Sequence, residues 1–149
     1  MKREIILTHE FVEYVPDDLK HGTIYVSIPF ATVAHKCCCG CGKEVVTPLS
    51  PTDWKLTFDG KSISLDPSIG NWSFPCQSHY WIKRNRVRWA RQWSQEEIEA
   101  GRAHDRWAKQ KYYDNTQTPP VNQRKASTEA SREEKSEENL WRKLKKWWL

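Results

Sequence analysis

The stretch Trp54–Leu65, WKLTFDGKSISL, carries the clearest local fold signal in the chain. Apolar and polar residues alternate in Trp54–Phe58 and again in Lys61–Leu65, a period that is typical of strands with one buried face. Asp59 and Gly60 join the two runs, and an Asp-Gly pair suits the positive φ angles of a two-residue hairpin turn. The stretch therefore predicts an antiparallel hairpin.

Further strands are predicted on both sides of this hairpin. The segments Phe11–Val15 and Thr23–Ile28 are rich in β-branched and aromatic residues, with a turn-rich connection between them. The segment His79–Ala90 indicates a second hairpin that turns near Arg84–Arg86. Residues 1–93 are therefore predicted to form a β-rich domain.

The sequence changes character after residue 93. Ser94 and Glu97 form the capping box of a helix predicted over residues 94–114. Residues 115–131 have the polarity and proline content of a linker. Residues 132–149 favour a basic amphipathic C-terminal helix.

Composition limits the classes of function. The 149 residues include 24 Lys and Arg, 19 Asp and Glu, nine Trp and five Cys, with a net charge of +5. No apolar run reaches the roughly 20 residues that a membrane helix needs, and the first residues do not resemble a signal peptide. We therefore expect a cytoplasmic protein, and in that reducing compartment disulfides are uncommon.

A cysteine-rich stretch, HKCCCGCG at residues 35–42, points to a metal site. His35, Cys37, Cys39 and Cys41 occupy alternate positions, so an extended segment would place them on one side and Cys38 on the other. The two glycines of the stretch permit the tight backbone turns of a metal-binding loop.

Cys76 and His79 supply a second half for this site, at C-x2-H spacing. Thiolate and imidazole ligands without clustered carboxylates favour Zn²⁺. We expect one structural zinc bound by two of the three alternating cysteines together with Cys76 and His79. His35 is a reserve ligand, and two metal ions or an iron–sulfur cluster remain alternatives.

Two further interpretations concern the surroundings of this site. Ser78 and Tyr80 are expected to hydrogen bond to the metal ligands. The segment PSIGNW at residues 67–72 either forms a recognition loop or only orients Cys76 and His79, and we favour the second interpretation. A catalytic Cys76 with His79 as its base is a weaker alternative.

Basic residues follow at the second predicted hairpin. Arg84, Arg86 and Arg88 would share one face of a strand, opposite Val87 and Trp89. Such a face is a solvated surface or, with Trp89, a partner-binding site for an acidic protein or for nucleic acid.

Residues 1–93, and most strongly residues 35–89, resemble a bacterial family of domains of unknown function, the one numbered 6527, through the motifs HxCxCGCG and PSIGNWxFPCxSHYWI. The positions of His35, Cys37, Cys39, Cys41, Cys76 and His79 match those motifs. The resemblance implies an accessory component of a bacterial ubiquitin-like conjugation system, with a ubiquitin-like protein or its activating or conjugating enzymes as partners. It leaves open a role in antiviral defence or in housekeeping.

Together these observations predict an α+β fold, a small β-rich zinc-binding domain with hairpins, followed by a long helix and a linked C-terminal helix. The expected function is a zinc-stabilised adaptor, for which a ligase-like role is open, rather than an enzyme. A zinc-containing nucleic-acid-binding protein and a cysteine enzyme that forms a thioester with a ubiquitin-like protein are the alternatives.

Overall fold

A computed structural model describes residues 4–116 of the chain. The chain divides into two compact units, residues 1–109 and residues 110–149, and the described part of the second unit is the end of a helix. The elements of the described range are β1 (Thr8–Phe11), β2 (Thr23–Ser27), β3 (Thr32–Lys36), β4 (Glu44–Pro48), β5 (Lys55–Phe58), β6 (Ile63–Gly70), β7 (His79–Lys83), β8 (Arg86–Trp89) and α1 (Gln95–Thr116).

The strands form two four-stranded sheets in chain order, β1-β2-β3-β4 and β5-β6-β7-β8. In the first sheet β1 runs parallel to β2, and the other neighbours are antiparallel. The second sheet is an antiparallel meander in which the pairing of β6 with β7 is irregular between Leu65 and Ile69.

One apolar core lies between the sheets. Ile24 and Val33 from the first sheet share it with Leu65, Tyr80 and other side chains of the second. Strand β2 is buried along its whole length because Tyr25, on its other face, packs in a smaller apolar cluster. The prediction of a β-rich α+β domain is therefore confirmed for the described residues.

The two predicted hairpins are both present. β5 pairs with β6, but the connection is four residues long rather than two, because Phe58 pairs with Ile63. The Asp59 carboxylate accepts hydrogen bonds from the N–H groups of Ser62 and Lys61, which lower its pKa to about 2.

The hairpin of β7 and β8 turns through two residues, Arg84 and Asn85, both with positive φ angles of 49° and 62°. Two consecutive residues with positive φ form the turn type that matches the twist of a hairpin. Asn85 tolerates this conformation and holds the turn by accepting a hydrogen bond from the N–H group of Ile63 at 2.7 Å.

Other boundaries differ from the sequence expectation or lie outside the described range. The first strand is Thr8–Phe11 rather than Phe11–Val15, because its parallel register with β2 begins at Thr8 and Val15 packs in the smaller apolar cluster. The predicted linker, apart from its first two residues, and the predicted C-terminal helix lie outside the described residues.

Helix α1 begins where the capping box predicts. The Ser94 hydroxyl accepts the N–H group of Glu97 at 3.2 Å, and the Glu97 carboxylate accepts the Ser94 N–H group at 2.8 Å. Ile98 is the buried side chain of α1. No helix within residues 4–116 has the length and apolar character needed to cross a membrane.

Candidate functional site

Four of the five cysteines come together at one end of the first unit. The sulfur atoms of Cys37, Cys39, Cys41 and Cys76 all lie within 4.8 Å of one another. The Sγ atom of Cys37 is 3.4 Å from that of Cys39 and 3.8 Å from that of Cys76, and the sulfurs of Cys41 and Cys76 are 3.9 Å apart. Four thiolates around one tetrahedral zinc lie about 3.8 Å apart, so the group fits this ion.

The cysteines converge through a turn and not through strand alternation. Strand β3 ends at Lys36, and a turn follows in which the Gly40 N–H group donates to the Cys37 carbonyl at 3.1 Å. Gly40 and Gly42 adopt φ angles of +90° and +81°, a backbone conformation that residues with a side chain rarely adopt. The expectation of an extended segment is therefore wrong at the cysteines.

Two neighbours of the cluster stay outside it. Cys38 is not among the four grouped cysteines, and burial raises its pKa to about 12. His35 is buried, its Nε2 atom lies 2.8 Å from the Tyr80 hydroxyl, and burial lowers its pKa to about 4. The structure therefore places His35 as a neutral core residue held by Tyr80.

Ser78 connects the cysteines to the loop that follows β6. Its hydroxyl lies 3.0 Å from the sulfur of Cys37 and 3.5 Å from that of Cys76. The same hydroxyl accepts a hydrogen bond from the side-chain amide of Asn71 at 2.9 Å, and the Asn71 N–H group donates to the Ser78 carbonyl at 2.8 Å. Ser78 thus contacts two of the grouped cysteines, and its role beside a bound metal stays a prediction.

His79 lies outside the cysteine group, and both of its ring nitrogens have partners elsewhere. Nε2 is 2.9 Å from the Ser68 hydroxyl, and Nδ1 is 2.7 Å from the backbone carbonyl of Arg91. A carbonyl oxygen only accepts, so Nδ1 carries the proton and Nε2 is the acceptor for the Ser68 hydroxyl. This is the arrangement of a serine nucleophile with a histidine base that a third group orients.

Strand register explains why Ser68 and His79 meet. Gly70 of β6 pairs directly with His79 of β7. Side chains two residues apart on a strand share a face, so Ser68 projects from the face on which His79 lies. Gly70 has no side chain, and the Trp72 indole packs against the position that a Cβ atom would take there.

Tryptophans surround the His79 ring. The ring centroid of Trp72 lies 4.9 Å from that of His79, that of Trp93 lies 5.2 Å away, and that of Trp81 lies 6.0 Å away. Trp72 and Trp93 stack on each other with their centroids 5.6 Å apart. The three indoles limit the orientations open to the imidazole ring.

An open cavity of about 590 Å³ contains this serine–histidine pair. Strand β6, the following loop and residues 98–109 of α1 contribute to its lining, and Lys109 of α1 pairs with Asp53, another lining residue, at 2.7 Å. The apolar part of the lining includes Trp54, Trp72, Phe74, Trp93 and Ile98. Ser68 and His79 therefore both line an open cavity.

The basic residues lie elsewhere on the second sheet. Arg84, Arg86 and Arg88 line a separate hollow, and Arg86 pairs with Glu4. Trp89 packs against the core, with its ring centroid 5.6 Å from that of Tyr80. Partner binding by these residues stays a prediction.

Sequence reasoning missed Ser68. The C-x2-H spacing assigned His79 to the metal. Ser68 lies in the PSIGNW segment, which is expected from the sequence to form a loop, whereas its residues 67–70 belong to strand β6. The pairing of Gly70 with His79 across two strands is the feature that reveals it.

Comparison with known proteins gives one family. The family model described as "Bacterial ubiquitination-like system serine protease (BubE)" matches residues 11–90. These residues include all four grouped cysteines and the serine–histidine pair. No curated protein and no solved structure matches the chain.

Proposed function

The chain belongs to the BubE family of bacterial ubiquitination-like systems, and on this premise we propose that it is a serine protease with Ser68 as nucleophile and His79 as general base. The observation that carries the proposal is the pair of contacts made by the His79 ring, 2.9 Å to the Ser68 hydroxyl and 2.7 Å to the Arg91 carbonyl. The substrate we propose is a ubiquitin-like protein of the same system.

The chemistry follows from these positions. The Ser68 oxygen attacks the scissile carbonyl carbon while Nε2 of His79 accepts the hydroxyl proton. His79 then returns this proton to the leaving amine, which departs and leaves an acyl group on Ser68. Water, deprotonated by His79, attacks the acyl-enzyme and releases the carboxylic acid and the free Ser68 hydroxyl.

The Arg91 carbonyl takes the place that a carboxylate occupies in many serine proteases. It accepts a hydrogen bond from the Nδ1–H group throughout, so the ring keeps Nε2 directed at Ser68. Arg91 is itself anchored, since its guanidinium pairs with the Glu97 carboxylate at 2.6 Å at the start of α1.

We propose that Cys37, Cys39, Cys41 and Cys76 bind one structural zinc. Four cysteine ligands close the coordination shell, and closed sites of this kind stabilise folds rather than catalyse reactions. Cys76 stands three residues before His79, and Ser78 between them touches Cys37, so the bound ion would fix the start of β7. A closed site also leaves no free thiolate among these four for a thioester.

An adaptor without catalytic activity is the other candidate, and the reactivity of Ser68 separates the two. We would treat the full chain with a fluorophosphonate probe and map the modified residue by mass spectrometry. The variants are Ser68→Ala, His79→Gln and, as a matched control from the same cavity, Ser73→Ala.

We expect labelling at Ser68, no labelling of Ser68→Ala, and labelling of His79→Gln slowed at least about 100-fold because the general base is lost. The Ser73→Ala variant should react as the wild type does. A wild-type chain that carries bound zinc and is folded but does not react would reject the protease and favour the adaptor.

A further inference from the structure

One edge of strand β6 is unpaired next to Ser68. β5 pairs with β6 from Phe58 to Lys55, and this register ends opposite Asp66. Pro67 follows and has no N–H group to offer, which explains why the ladder stops there. Among the residues that the structure describes, no strand pairs with the β5 side of β6 beyond this point.

The backbone of Gly70 faces this open edge. In an antiparallel ladder, residue pairs that exchange hydrogen bonds alternate with pairs that do not. The Asn71 N–H group donates to the Ser78 carbonyl, so Asn71 and Ser78 are a hydrogen-bonded pair, and the next pair, Gly70 and His79, is not hydrogen-bonded. The His79 carbonyl supports this phase, because it accepts the Ala90 N–H group at 2.9 Å on the opposite side. The N–H and C=O groups of Gly70 therefore point away from β7.

The space beside this edge is open. Gly70 lines the cavity around Ser68, together with the segment that includes Thr52 and Trp54. A ligand with regularly spaced backbone groups would match the N–H and C=O groups of Gly70.

We infer that the substrate binds as an extended strand added to the open edge of β6, pairing with the N–H and C=O groups of Gly70. Residues two apart on a strand are about 7 Å apart, so a peptide paired at Gly70 carries a carbonyl to Ser68 two positions along. The substrate class is thus an unstructured peptide segment, such as a tail, and not a folded surface. This inference rests on the proposed function.

The test modifies the backbone of the peptide. In a peptide that pairs as a strand, only every second N–H group donates a hydrogen bond to the neighbouring strand. The full chain would be incubated with a library of unstructured octapeptides, with Ser68→Ala as the control for dyad-dependent cleavage. The best-cleaved peptide would then be synthesised with a single N-methyl group at each position in turn. Fluorophosphonate labelling of Ser68 would be measured in parallel.

We expect N-methylation at alternate residues to lower kcat/KM roughly tenfold or more, because each methyl group removes a hydrogen bond and obstructs the edge. The residues between them should tolerate the methyl group. Cleavage that is insensitive to N-methylation, or sensitive only at the scissile bond, would overturn the inference and leave the proposed function standing. Labelling of Ser68 without cleavage of any library peptide would also overturn it, whereas an unreactive Ser68 would overturn the proposed function itself.

Discussion

Replacing Gly70 with alanine places a methyl carbon against the indole that packs on His79. The added Cβ would lie 2.4 Å from Nε1 of Trp72 and 2.6 Å from Cε2, whereas ordinary contact begins at 3.4 Å. The indole must therefore withdraw by roughly 1 Å, at a cost of about 1–3 kcal/mol for an overpacked contact.

The consequence reaches the dyad because Trp72 contacts His79 and stacks on Trp93. A displacement of about 1 Å at a reacting group can lower a rate about 100-fold. We expect the rate of fluorophosphonate labelling in Gly70→Ala to fall about 10- to 100-fold, and Tm to fall by about 5 °C or more. Labelling kinetics and a thermal melt measure the two effects.

Gly101→Ala is the matched control, because its added methyl group would contact Trp93, the partner on which Trp72 stacks, from the side of α1. Its Cβ would lie 3.0 Å from Cζ3 of Trp93, a contact that a shift of a few tenths of an ångström relieves. Alanine also stabilises a helix interior by about 1 kcal/mol relative to glycine. We expect labelling within about threefold of wild type and no loss of Tm. If Gly70→Ala were labelled by the fluorophosphonate as fast as the wild type, the reasoning that the Trp72 indole positions His79 would be refuted.

Three further changes have defined outcomes. Cys39→Ser should abolish about one bound zinc per chain and Cys38→Ser should retain it, as measured by elemental analysis; equal retention would contradict the four-cysteine site. The pKa of Asp59, about 2, lies below its ordinary value of 3.8. The ionised Asp59 carboxylate therefore stabilises the fold fully at pH values above 3.8, and this stabilisation is lost as the pH falls toward 2. Urea unfolding of Asp59→Asn should therefore show a weaker pH dependence in this range, and an unchanged one would contradict the assignment. Tyr80→Phe removes the hydroxyl bonded to buried His35 and should lower the free energy of unfolding by about 1–3 kcal/mol in urea titration; an unchanged value would contradict a role for that bond.

The local signals of the sequence predict much of the fold. Alternation in the stretch around Asp59 and Gly60 identifies the β5–β6 hairpin, and Ser94 with Glu97 identifies the start of α1. These features depend on interactions within a few residues. The parallel register of β1 depends on a distant strand, and for this reason the prediction of the first strand is displaced toward Val15.

The candidate site could be predicted only in part, for the same physical reason. Soft ligands at short spacing identify Cys37, Cys39 and Cys41 as residues that could bind a metal ion, whatever backbone conformation brings them together. His79 has an equally good spacing from Cys76, yet strand pairing with Gly70 directs its ring to Ser68. The pairing register of β6 with β7 determines where the His79 side chain points, and this register cannot be predicted from the spacing of residues along the sequence.

The proposed function requires that His79 activates Ser68 for covalent catalysis. The most direct test mixes the full chain with p-nitrophenyl acetate, quenches rapidly, and identifies any acetylated residue by intact-mass and peptide mass spectrometry. We expect one acetyl group on Ser68, absent in Ser68→Ala and strongly delayed in His79→Gln. Acetylation at another residue, or an acetyl group on Ser68 that forms equally fast without His79, would contradict the activation of Ser68 by His79.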